Sequence, residues 1–155
     1  MKHIELAVFV AEVGQRFEFL VDSYGMEGPE SSGLLLPAVY YRCPELRVAV
    51  FLSQGRDQPG RSIEVLVSPP AARISCRLPG LVEAARFAPA HHVGWKAHTM
   101  TAMQHTLDDN ATWLGRLMPL LLRPEALDPA RTVDLASSRT PRPKRRPPNI
   151  KWKYA

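Results

Sequence analysis

The sequence predicts an α+β fold: a small antiparallel sheet with one face covered by an N-terminal helix and a long C-terminal helix, followed by an extended basic tail. Three observations predict it. Apolar residues recur at steps of three or four near both ends of the body, short runs rich in Val, Ile, Leu, Tyr and Phe lie between them, and Arg139 to Ala155 is basic and proline-rich. Residues 1–136 are read as a single globular domain and residues 137–155 as a Pro/Arg/Lys-rich extended tail.

Leu6, Val10, Val13, Phe17, Leu20, Val21 and Tyr24 follow the repeat of one helix face, with Gly25 placed to close the helix. Ile4, Leu6, Val8 and Val10 also alternate, so residues 3–10 are open to a strand reading. The Gly, Pro and Ser content from Gly28 to Pro37 predicts a connecting loop. Strands are expected at Ala38 to Arg42, Leu46 to Leu52 and Ser62 to Ser68, separated by Cys43-Pro44 and by the turn-forming cluster from Gln54 to Gly60. In the second strand Leu46, Val48, Val50 and Leu52 point one way, while Arg47, Ala49 and Phe51 point the other. That alternation suits a sheet with one face on a helical core. Arg73 to Arg77 is expected to add an edge strand after a bend at Pro69-Pro70.

Leu78 to Phe87 reads as a short helix with Pro79 in its first turn, where a missing N–H costs little. A loop with Pro89, His91, His92 and Gly94 follows. Met100, Met103, Leu107, Ala111, Leu114, Leu117, Met118 and Leu121 form one stripe of a long core helix, which Pro119 is expected to end or kink. Phe17, Leu20, Val48, Val50, Val65, Met103, Leu107, Leu114 and Leu117 are the expected core.

Charge divides the chain. Residues 1–138 hold thirteen Lys and Arg against fifteen Asp and Glu, whereas Arg139 to Ala155 holds seven Lys and Arg and no acid, so the formal +5 arises entirely from the tail. Such asymmetry points to a polyanionic or acidic partner. Arg139, Arg142, Lys144, Arg145 and Arg146 are interspersed with prolines that favour an extended chain. Lys151 and Lys153 then alternate with Trp152 and Tyr154. In an extended chain the two rings project to one side and the two ammonium groups to the other. Rings that stack on bases beside cations that neutralise phosphates suit single-stranded nucleic acid or structured RNA. The expected tail partners are therefore nucleic acid, a ribonucleoprotein or an acidic protein, with the body as a spacer or second protein contact.

No motif in the body carries chemistry. Neither a Walker-type loop nor a strand-linked G-x-G-x-x-G is present, and Ser23 and Ser53 lack the G-x-S-x-G surroundings of an exposed nucleophile. His91, His92, His98 and His105 tempt a metal reading, but His98 and His105, seven apart on one face of the long helix, are separated by about 10 Å of rise. They are read as a solvated polar face. Asp108-Asp109 and Glu27-x-x-Glu30 are read as surface carboxylates, and Cys43 and Cys76 as buried, inert thiols. No metal, no cofactor and no catalytic activity are expected, although a site assembled from distant residues leaves no local trace.

Glu5 and Glu12 interrupt the only early apolar stretch, and no run approaches eighteen apolar residues, so neither export nor a membrane span is expected. The expected location is cytoplasmic. Finally, Phe17-Glu-Phe-Leu-Val-Asp-Ser-Tyr-Gly-Met26 and the Tyr-x-x-Pro-x-Leu-Arg-Val element at Tyr41 to Val48 resemble a family of small bacterial α+β proteins, some of them similar to immunity proteins of toxin systems. The likeness spans roughly residues 15–125. It implies a non-catalytic domain that inhibits or assists another protein through its folded body, and the basic tail departs from that pattern.

Overall fold

A computed structural model describes residues 4–34, 36–54, 61–68 and 75–122. The chain opens with helix α1 (Leu6–Arg16) and the short helix α2 (Glu18–Asp22). These are the expected opening helix in two pieces, and the strand alternative for residues 3–10 does not hold. The break falls at Phe17, whose ψ of 15° leaves the helical range while its ring stays fully buried. Gly25, at φ +65°, reverses the chain, so that its N–H bonds Val21 O and the Met26 N–H bonds Leu20 O.

Five antiparallel strands follow: β1 (Glu27–Ser32), β2 (Ala38–Arg42), β3 (Arg47–Gln54), β4 (Arg61–Ser68) and β5 (Cys76–Arg77). They pair in chain order, β1-β2-β3-β4-β5. Strand β1 corrects the loop expected from Gly28 to Pro37. Glu27–Ser32 has no apolar alternation because almost nothing in it is buried, and its strand form comes from pairing along β2. Register shifts between Glu27 and Glu30. Gly28, at φ +134°, lies so close to β2 that a Cβ there would stand 2.7 Å from Tyr40 O. The turn cluster at residues 55–60, the Pro69-Pro70 bend and the start of the expected Arg73 strand lie outside the described residues.

Helix α3 (Leu78–Ala84) ends three residues short of Phe87, after which Arg86 takes φ 62°. A 3₁₀ turn at Ala90–His92 leads to α4 (Met100–Leu121). Thr99 caps α4 by accepting from Ala102 N at 3.0 Å, so His98 precedes the helix and does not share a helical face with His105. Pro119 does not end α4. It lies in the last turn, and the chain leaves the helix only after Leu121.

Helix α4 packs against α1 and α3, and all three helices pack against one side of the sheet. The nine residues expected in the core are all buried there, together with Phe9, Tyr41, Leu46, Leu52 and Leu78. Arg16 ties α1 to α4, with Nη1 2.6 Å from Glu12 Oε1 and Nε 2.8 Å from Asp108 Oδ1.

Tyr41 is buried, and its hydroxyl has no hydrogen-bond partner among the described residues. Burial pushes its pKa up to about 12, because a phenolate is poorly solvated there. The folded state thus holds a proton that the unfolded chain begins to release near pH 10. Stability should be intact below that pH and fall by up to about 2–3 kcal/mol as pH rises toward 12. Tyr41→Phe is expected to flatten this alkaline loss in urea unfolding at pH 8–12, and to leave stability at pH 7 unchanged or higher by about 1 kcal/mol.

Candidate functional site on the open sheet face

Strand alternation decides what the second side of the sheet displays. Val48, Val50, Leu52, Ile63, Val65 and Val67 point to the helices, so the residues between them form the open face. The register arranges these in rows. Glu27, Arg42, Arg47 and Ser68 make one row; Glu30, Tyr40, Ala49, Leu66 and Arg77 make the next. Ser32, Ala38, Phe51 and Glu64 make the third.

Two concavities open on this side. One, of about 330 Å³, is lined by Tyr40, Arg42, Arg47, Ala49, Phe51 and Leu66, with Glu30, Ser68 and Ser75 at its margin. Ala49 supplies its floor, because a methyl stands where the flanking positions of its row carry Tyr40 and Leu66. Tyr40, 38% exposed, meets Phe51 edge-on with ring centroids 6.0 Å apart. The second concavity, of about 420 Å³, shares Phe51 and is bounded by Leu36, Arg77, Pro79, Gly94 and Trp95.

Trp95 is 54% exposed, yet its backbone is held firmly. Its carbonyl accepts from Ile63 N at 2.8 Å, Ala97 N donates to Arg61 O at 3.0 Å, and Lys96 bridges Ser62 across the strand edge. One turn of α4 secures the same segment: Asp109 Oδ2 accepts from Gly94 N at 2.7 Å, Asn110 Nδ2 donates to Gly94 O at 2.9 Å, and the Thr106 hydroxyl donates to Lys96 O. The Lys96 ammonium lies 5.6 Å from the Trp95 ring centre.

Charged groups on the face are partly paired. Arg42 Nε stands 3.3 Å from Glu27 Oε1 and its Nη2 3.9 Å from Glu30 Oε2, and Arg77 Nε stands 3.0 Å from Glu64 Oε2. All of these side chains are well exposed, and such pairs are worth about 0–1 kcal/mol each. Arg42 and Arg47 are register partners across β2 and β3.

Several expected features take other roles. Asp109, read as a surface carboxylate, is half-buried and anchors Gly94, whereas Asp108 is exposed while it pairs with Arg16, and Glu27 and Glu30 are exposed beside Arg42. His91 and His92 meet edge-on at 4.7 Å on the exposed 3₁₀ turn. Among the described residues no three His, Cys, Asp or Glu side chains converge as a metal site would require. Cys76 is buried, whereas Cys43 is only half-buried, a correction to the expectation for it; neither is in a disulfide. Burial pushes the Cys43 thiol pKa up, which lowers its thiolate fraction and reactivity. Arg139, Arg142, Lys144, Arg145, Arg146, Lys151, Trp152, Lys153 and Tyr154 lie outside the described residues.

The outward set Arg47, Ala49 and Phe51 was visible from alternation in β3. Tyr40, Arg42 and Trp95 join it only through strand register and the bridge from Lys96 to Ser62. No protein-family model, curated protein or solved structure matches this chain. Among the described residues no helix is long and apolar enough to cross a membrane.

Proposed function

We propose that this chain is a non-catalytic binding protein whose basic C-terminal segment engages nucleic acid or a ribonucleoprotein, with the folded body as a second contact. The observation that carries this reading is the acid-free run from Arg139 to Ala155, with seven cations beside Trp152 and Tyr154, on a body whose own formal charge is slightly negative. Cations of that density displace counterions from phosphates, and the two rings offer bases a stacking surface. The open sheet face, with Tyr40, Arg42 and Arg47, supports a body contact of the same chemistry.

Binding of the full chain to labelled single-stranded RNA and DNA over a salt series tests the reading. Replacing Lys144, Arg145 and Arg146 together by Gln is expected to reduce the slope of log affinity against log salt by roughly 2, on the basis of about 0.7 per phosphate contact on a single strand. Trp152→Ala should weaken binding with little change in slope. An unchanged slope and affinity in both variants, or a preference for an acidic protein over either nucleic acid, would defeat the proposal.

A protein partner held through the body is the second reading, in keeping with the resemblance to immunity-like proteins. Trp95, rigidly mounted and exposed beside Leu36, favours it, since exposed aromatic residues are enriched at protein interfaces. Such a partner should tolerate the tail substitutions and lose affinity with Trp95→Ala.

A further inference from the structure

We infer that the concavity around Ala49 is a binding subsite for one unpaired nucleotide, its base set against Tyr40 and its phosphate between Arg42 and Arg47. The inference rests on the nucleic-acid reading and adds to it a location on the body. Shape and charge both contribute. The hollow has a small floor at Ala49, ring walls at Tyr40 and Phe51, and an apolar side at Leu66, a set of surfaces suited to a flat heteroaromatic group.

The adjoining row on the same face supplies the anion contact. Arg42 and Arg47 stand opposite one another two residues along from Tyr40 and Ala49, about 7 Å away by strand rise. That is the scale of the separation between a base and its own phosphate. Glu30 lines the hollow as well, and Glu27 stands in the arginine row, both within reach of Arg42. A phosphate beside the two guanidiniums would exchange for the exposed contacts of Arg42 with Glu27 and Glu30, which are weak enough to yield. Ser68, in the arginine row, and Ser75 at the margin add hydroxyls for further polar contacts.

The test uses the full chain with fluorescein-labelled eight-nucleotide uridine RNA and thymidine DNA, and with free uridine monophosphate as competitor. Wild type is compared with Tyr40→Ala, Tyr40→Phe, Ala49→Leu, Arg47→Gln and the triple Lys144, Arg145 and Arg146→Gln variant, each first checked by circular dichroism and thermal unfolding. Tyr40→Ala should lose about 5- to 100-fold in affinity, the range of a base-stacking contact, and Tyr40→Phe should retain most of it. Ala49→Leu, which fills the hollow without touching a charge, should lose affinity with the salt slope unchanged. Arg47→Gln should lower the slope by about 0.7.

Equal binding of RNA and DNA with competition by the monophosphate would place recognition in the base and phosphate; preference for RNA would add a contact to the 2′-hydroxyl, and either result supports the site. Affinity unaffected by both Tyr40→Ala and Ala49→Leu, while the tail variant weakens binding, overturns the subsite and leaves the tail reading standing. Loss with Ala49→Leu but not with the tail variant does the reverse. Failure of wild type to bind either oligonucleotide overturns both.

Discussion

Truncating Leu107 to alanine is expected to lower the unfolding free energy by about 2–5 kcal/mol, which makes it the most damaging single change considered for the body. Leu107 is fully buried midway along α4, in the core that joins this helix to the sheet and to α1. Removing the branched end of the side chain forfeits its transfer free energy and leaves a void, because the neighbours belong to separate elements and cannot all close on it. The measurement is urea unfolding followed by circular dichroism. A midpoint within error of wild type would show that α4 does not pack through this stripe.

Asn110→Ala should cost about 1–3 kcal/mol, for a different reason. Its side chain is buried and donates to both Gly94 O and Thr106 O at 2.9 Å. The substitution leaves the part-buried Gly94 carbonyl short of a donor and removes one of three α4 contacts that hold residues 94–96. The consequence should be local as well as global. Amide exchange at Ile63 and Ala97, whose N–H groups bond across the edge between β4 and the Trp95 segment, is expected to quicken more than exchange at Val50 in the sheet centre. Equal acceleration at all three amides would show that Asn110 acts only through overall stability.

The two substitutions separate what periodicity can reveal from what it cannot. Leu107 lies on a stripe repeated over six turns, and its burial follows from that repeat. Asn110 lies on the same helix as a polar residue with no local reason to be inside. Beyond the Thr106 carbonyl one turn back, its partner comes from the chain returning at Gly94, so its sequence neighbours contain no sign of that contact. Asp109 was misread for the same reason, as a surface carboxylate beside a second aspartate.

The candidate site divides along the same line. Alternation in β3 showed that Arg47, Ala49 and Phe51 face away from the core, and the acid-free charge of Arg139 to Ala155 can be counted directly. Neither reveals which residues share the open face with them. Register places Arg42 opposite Arg47 and Tyr40 opposite Ala49, and the small Ala49 side chain leaves the hollow between larger neighbours.

By itself, the sequence determined the helices, the central strands, the buried stripe and the segregation of charge, because each depends on residues close together along the chain and on a period of two or about 3.6. Tertiary structure alone decided that Glu27–Ser32 is a strand, that α1 breaks at Phe17, that α4 runs through Pro119 and that Trp95 is fixed at a sheet edge. The physical reason is common to the strand and the edge: an exposed polar segment has no apolar pattern to announce it, and its hydrogen bonds are completed by β2 or β4 from elsewhere in the chain. In the helices, burial of Phe17 and the packed stripe of α4 outweigh the local break and the single missing hydrogen bond.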